Sequence, residues 1–272
     1  MTDGPASRPG RGTRIASLRP RPLRLLALLS AALLLAHLKS ASSQSAPAFD
    51  AGAARGEFEF ARLMYADAGG RRGRGAWLTD YPEAEVHLLQ GLERLTRVTL
   101  GGEGTFVDLQ SDDVMDYPWL YAVEVGRWHL SDAEAARLRE YLMRGGFLIV
   151  DDFWGSYQWS VFIASMLRVF PDRRIVEIPE DDEVMHVLYD LERDVQIPGI
   201  RYIYTGRTSQ GDGITPHWRG IYDDEGRLMV AINFNMDLGD AWEHADHPAY
   251  PEPMTTLAYR FAVNYVIYSM TH

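Results

Sequence analysis

The chain has 272 residues, with 27 basic and 38 acidic side chains, a net charge of −11 and no cysteine. Its first 46 residues hold seven bases against one acid, and Lys39 is the only lysine, so the remainder carries a charge of −17 with neither Cys nor Lys. This excludes thiol nucleophiles, Schiff-base lysines, disulfides, zinc–thiolate centres and the phosphate-loop lysine from that part of the chain. So acidic a body is also unsuited to the phosphate backbone of nucleic acid.

The N-terminus reads as an export signal. Spaced arginines run to Arg24, an apolar stretch covers Leu25 to Ala36, and small and polar residues fill Ser40 to Ala48. Basic, apolar and small-residue regions in that order mark secretion, and the apolar part is shorter than the ~20 residues of a spanning helix. Residues 1–48 are therefore expected to be an export signal, or an uncleaved signal anchor, with a short linker. The mature protein would be periplasmic or in the cell envelope, touching membrane only through this segment.

From Glu57 onward strands and helices alternate. Phe58–Tyr65 has the branched and aromatic residues of a first strand, and a Gly/Arg loop over 69–75 lacks the spacing of a phosphate-binding loop. Thr79 and Asp80 offer helix caps before Pro82, and Leu88, Leu92 and Leu95 follow at helical spacing. Trp119–Val125 is a second strand. Ser131-Asp-Ala-Glu134 is a capping box, with Ala135, Leu138 and Leu142 on one face and Gly145 at the C-terminal stop. Gly146–Val150, apolar throughout, predicts a central parallel strand. A helix is expected over Tyr157–Val169, a strand over Arg174–Ile178, and a hairpin from Arg219–Tyr222 and Leu228–Phe234 around Gly226. Met254, Leu257, Ala258, Phe261, Tyr265 and Tyr268 mark a closing helix.

Several separated motifs then resemble one family: Tyr81-Pro82, Tyr117-Pro118, Leu130-Ser131, Gly145-Gly-Phe-Leu-Ile-Val-Asp-Asp152, Arg168-Val-Phe-Pro171, Ile197-Pro-Gly199, Arg219-Gly-Ile-Tyr-Asp-Asp224, Asp237-Leu-Gly-Asp-Ala-Trp-Glu243 and Ala258–Tyr265. Together they are similar to the domain-of-unknown-function 4159 family. The resemblance implies a fold like class I glutamine amidotransferase domains, in bacterial proteins that are often exported or membrane-tethered, and brings no established activity. Amidotransferases of that fold use a cysteine on a sharp strand–helix turn. Without cysteine, glutamine hydrolysis by that route is excluded. The expected architecture is a three-layer α/β fold over residues 57–272, with a mostly parallel flavodoxin-like sheet and an added antiparallel hairpin.

Ligands of open α/β sheets bind beyond the carboxyl ends of the strands. The central strand delivers Asp151, Asp152 and Trp154 there, although alternation along a strand would point the two aspartates to opposite faces. A second constellation, Asn233–His247, supplies Asp237, Asp240, Trp242, Glu243, His244 and His247 in what reads as a long loop. Its spacing matches neither the EF-hand nor the His-Glu-x-x-His pattern, so neither a metal nor a cofactor is assigned to it. His217 is a weaker acid/base candidate. Trp77, Trp154, Trp159, Trp218 and Trp242 lie beside loops and strand ends, where indole rings beside carboxylates suit sugars. The leading expectation is a non-catalytic binding or assembly module of the bacterial cell envelope, with a glycan, a small polar ligand or an envelope complex as partner and no nucleic acid. The alternative is a carboxylate- or metal-dependent hydrolase acting on a saccharide or similar polar substrate, and a structural component of a larger membrane complex, with a vestigial pocket, stands third.

Overall fold

A computed structural model describes residues 57–68 and 75–272. The export segment and the arginines of the Gly/Arg loop lie outside the described residues. Among those described, seven strands form one sheet: β1 (Ala61–Met64), β3 (Thr105–Asp108), β4 (Trp119–Val123), β6 (Phe147–Phe153), β7 (Val176–Glu177), β8 (His217–Tyr222) and β9 (Leu228–Phe234). Their spatial order is β3-β1-β4-β6-β9-β8-β7. The first five in that order run parallel, and β8 and β7 complete the sheet antiparallel. A separate antiparallel pair joins β2 (Ala66–Asp67) to β5 (Trp128–His129).

The helices are α1 (Glu83–Leu95), α2 (Asp132–Met143), α3 (Gly155–Val169), α4 (Arg201–Thr205), α5 (Leu238–Glu243) and α6 (Glu252–Thr271). Two apolar cores result, one on each face of the sheet. Leu88 and Leu92 of α1, Leu238 and Trp242 of α5, and Phe261 and Tyr265 of α6 pack on one face with Trp119, Tyr121 and Ile149. Leu138 and Leu142 of α2 and Phe162 and Met166 of α3 pack on the other with Leu120, Leu148 and Val150. This is the three-layer, mostly parallel α/β architecture with an antiparallel hairpin. Strands β4 and β6 are buried at every position, as strands covered on both faces must be.

The capping box is formed: Ser131 Oγ accepts from Glu134 N at 3.3 Å and Glu134 Oε2 accepts from Ser131 N at 2.8 Å. Other expectations need correction. Neither Thr79 nor Asp80 caps α1, whose N-terminal position is Pro82 with no side-chain cap. The strand expected at 174–178 shrinks to two exposed residues at the sheet edge. Residues 105–108 form the opposite edge strand, whose Thr-Phe-Val-Asp sequence is too short to announce itself. The segment read as a long loop at 233–247 contains α5, a helix only six residues long, below the length at which periodicity shows.

One buried ion pair fixes the chain between β1 and α1. Arg62, fully buried, donates from Nε to Glu85, from Nη1 to Trp77 O at 3.0 Å and Thr79 O at 2.8 Å, and lies over the Tyr121 ring. It thereby holds the turn that carries Asp80. Burial alone would lower the guanidinium pKa, but Glu85, with Tyr121 and Asp80 adding to it, outweighs burial and the pKa is raised, so Arg62 stays charged. Removing one partner strands the other. Arg62→Met is expected to lower the unfolding free energy by about 3–5 kcal/mol. Arg62→Met/Glu85→Leu should recover most of that loss, as measured by urea denaturation.

Candidate functional site

Asp151 and Asp152 lie near the end of strand β6, just before Phe153, and its register with β9 shifts between Val150 and Phe153. Asp152 sits at φ 49°, in the left-handed region that side chains other than Gly, Asn and Asp rarely occupy. The irregularity breaks the alternation that would have sent the two carboxylates to opposite faces. Both are buried at the carboxyl end of the sheet.

Asp151 reaches α5. Its Oδ2 accepts from Leu238 N at 2.7 Å, Gly239 N at 2.9 Å and Tyr121 Oη at 3.3 Å, a carboxylate set at the positive end of a helix. Burial and the neighbouring Asp152 push Asp151 well above the usual carboxylate range, against the pull of the two amides. Its other oxygen, Oδ1, is buried with no partner.

Asp152 accepts from the Trp154 indole at 2.7 Å and shares a hydrogen bond with Asp237. Burial raises it to about 6, with Asp240 adding to the rise and the Trp154 and Asp237 bonds opposing it. Asp237 is the N-cap of α5: its Oδ1 accepts from Asp240 N at 2.8 Å. Burial, then Asp152 and Asp240, raise Asp237 well above the usual carboxylate range. Asp240 accepts from Ile200 N at 2.7 Å, and its Oδ1 lies 3.4 Å from His244 Nε2. Burial alone would raise Asp240, but its hydrogen bonds to His244, Asp237 and Ile200 bring it below the usual value. Glu243 Oε2 is also 3.4 Å from His244 Nε2, and the histidine is raised chiefly by Asp240.

Asp80 arrives from the turn that Arg62 holds. Its backbone is left-handed at φ 66°, and burial, followed by Asp240 and Asp152, raises its pKa well above normal. No amide, hydroxyl or cationic group hydrogen-bonds its buried Oδ2. The approach depends on Gly239, where a Cβ would stand 2.3 Å from Asp80 Oδ2 and 2.6 Å from Tyr121 Oη. Gly199 plays the same part opposite, where a Cβ would come within 2.8 Å of Asp237 Oδ2 and 2.9 Å of Asp240 Oδ2. One ligand atom each from Asp80, Asp237 and Asp240 lie within 4.8 Å of one another, and so do those of Asp240, Glu243 and His244.

Four non-glycine residues among those described have positive φ: Asp80, Glu124, Asp152 and Asn235. All four lie at this edge of the sheet. Backbone strain of roughly 1–3 kcal/mol per residue persists where the surroundings impose it, and it gathers at working sites. Glu124, which follows β4, is raised to about 7 by burial and by Asp152, against Arg127. Asn235, which follows β9, accepts from Gly155 N at 2.8 Å and donates to Thr215 O at 2.7 Å.

The sequence candidates thus divide. Asp151, Asp152, Asp237, Asp240 and Glu243 converge with His244, which spacing alone had left unassigned. His217 stays out of the cluster, on β8, with Nδ1 2.9 Å from Glu177 Oε1 and its ring stacked on Phe234. Trp242 is fully buried against Tyr121, and Trp77, Trp154 and Trp218 are at most 6% exposed, so these four rings present no stacking platform. Trp159 is half-buried beneath the Arg219 guanidinium. Sequence reasoning missed Asp80, Glu124 and Tyr121 as parts of the site. The one available signal is Asp80 just before Tyr81-Pro82, a position that in sequence equally suits a helix cap.

Asp152 and Glu124 in the folded chain keep protons that an unfolded chain releases above pH ~4–4.5. Their stabilisation is complete below those unfolded values and is lost as pH rises through about 6 and 7. The raised His244 acts in the same sense. In the presence of EDTA, the melting temperature is expected to be higher at pH 5 than at pH 8 by about 5 °C or more, and differential scanning calorimetry measures it.

Comparison with curated proteins finds no match. Residues 59–270 match the family model described as domain of unknown function (DUF4159), which covers nearly the whole described body. The chain therefore belongs to the DUF4159 family.

Proposed function

We propose that the protein is an exported binding module of the cell envelope, whose carboxylate cluster at the carboxyl edge of β6 and β9 holds a polar ligand without turning it over. One observation carries this reading: four of the convergent carboxyl groups are each fixed by a structural donor while crowded against one another. Asp151 is held by the first amides of α5, Asp152 by the Trp154 indole, Asp237 by Asp240 N and Asp240 by Ile200 N. Groups held this way make a rigid acceptor surface, suited to ligand hydroxyl, amino or cationic groups. Beyond the N-terminal segment that holds Lys39, no Cys or Lys is present to supply a nucleophile or a Schiff base.

Export rests on the basic, apolar and small-residue order of the first 48 residues. Among the described residues no helix is long and apolar enough to cross a membrane. An amidotransferase-like scaffold is in keeping with the mostly parallel sheet.

The hydrolase alternative draws on Asp152 and Asp237. Glycoside hydrolysis sets its two carboxyl groups at least ~5 Å apart, so that a bond or a water fits between them. These two are hydrogen-bonded to each other, which favours binding over bond cleavage.

Two measurements test the reading. Thermal-shift titration of the full chain with neutral sugars, amino sugars and polyamines is expected to raise the melting temperature for at least one class, and Asp240→Asn should reduce that shift at least tenfold in ligand concentration. Nitrophenyl glycosides and esters should show no turnover above buffer, and turnover abolished by Asp152→Asn would reverse the reading in favour of the hydrolase.

A further inference from the structure

The carboxylate cluster has more negative charge than its own chain compensates. Asp80, Asp152, Asp237, Asp240 and Glu243 act on one another electrostatically, and His244 is the only cationic side chain that ion-pairs with any of them among the described residues. Arg62 and Arg127 act on members of the cluster at longer range, but their ion pairs are with Glu85 and Glu124. Buried carboxylates in such numbers need protons or a counter-ion.

Two observations choose the counter-ion. The first is the ligand geometry. Asp80, Asp237 and Asp240 come from three places, the turn before α1, the start of α5 and its first turn, yet bring one oxygen each within 4.8 Å of the others. Oxygens around a common cation at 2.0–2.6 Å must lie within about that separation. The second is Asp80 itself: its wholly buried Oδ2 faces this group and receives no hydrogen bond from any amide, hydroxyl or cation of the chain. A buried acceptor in that condition is costly unless something binds it. The glycines agree, since Gly239 and Gly199 leave open the two positions where a Cβ would displace these oxygens.

We propose that Asp80, Asp237 and Asp240 form a divalent-cation site completed from the solvent side by Glu243 and His244. Oxygen donors with a single imidazole suit Mn²⁺, with Mg²⁺ a weaker occupant. Glu243 and His244 side chains are 26% and 23% exposed, so they lie on the ion's route in. Asp80 lies more than 150 residues before Asp237, so no local spacing joins the three ligands in the sequence. The inference rests on the binding-module reading of the same site and names what makes that site attractive to polar groups, a metal with open positions for ligand oxygens.

The test uses the full chain, stripped with EDTA and titrated with Mn²⁺ at pH 7.5 by electron paramagnetic resonance and isothermal calorimetry. One Mn²⁺ per chain is expected, with a rise in melting temperature. Asp240→Asn and Asp80→Asn should each weaken Mn²⁺ binding about 100-fold. Asp80→Asn is the decisive variant, because no amide, hydroxyl or cation of the chain bonds its Oδ2 and its side chain bonds only the Glu243 carboxyl, itself a proposed ligand, and circular dichroism checks that it folds. His186→Ala, which removes a surface histidine paired with Asp190, should leave the affinity unchanged. Absence of binding, or an affinity unmoved by Asp80→Asn in a folded protein, overturns the site. A sugar or polyamine shift that survives EDTA and is still lost in Asp240→Asn would overturn the metal while leaving the binding-module reading standing. Loss of both kinds of binding would remove both.

Discussion

The bond between Asp151 and the start of α5 organises the rest of this edge of the fold. A fully buried carboxylate at the end of the central strand accepts the amides of Leu238 and Gly239, so the strand end and the helix N-terminus are locked as one unit. The helix dipole and two N–H donors offset part of the cost of burying the charge. Because α5 is fixed by its first two residues, its cap Asp237 and its first-turn Asp240 have no freedom to turn away from Asp152. His87 closes the other end of α5, with its Nδ1 2.9 Å from Trp242 O and 3.0 Å from Glu243 O. The crowding of acids is thus a consequence of the packing of one short helix.

The sheet and most helices were legible because burial on two faces and helical periodicity leave strong patterns. Phe147–Val150 is apolar without interruption, and Leu138 and Leu142 repeat at helical spacing beside a capping box. The same logic located the carboxyl edge of β6 as the place for chemistry. It also gathered Asp237, Asp240 and Glu243 into one candidate group, although as a loop.

What sequence could not carry was every feature that depends on departing from the pattern. The joint inward placement of Asp151 and Asp152 requires a register shift and a left-handed residue, and neither has a signature in the letters Asp-Asp-Phe. Asp80 joins the group only because Arg62 pins the preceding turn, through bonds between residues 15 and 17 positions apart in the chain. The tryptophans misled for a related reason. Proximity to a strand end does not distinguish a ring that faces a ligand from one such as Trp242, which fills the gap beneath Tyr121.

Strand β7 has a consequence of a different kind. The sheet terminates there in two exposed residues, and Glu177 is tied to Arg219 Nε at 2.7 Å and to His217. A terminal strand this short, with its acid already engaged, offers almost no template for a further chain to pair with, and natural sheets use such devices against edge-to-edge aggregation. On that side the sheet offers little for a second copy to extend, which leaves the β3 edge, the helical faces and the loops for any higher assembly.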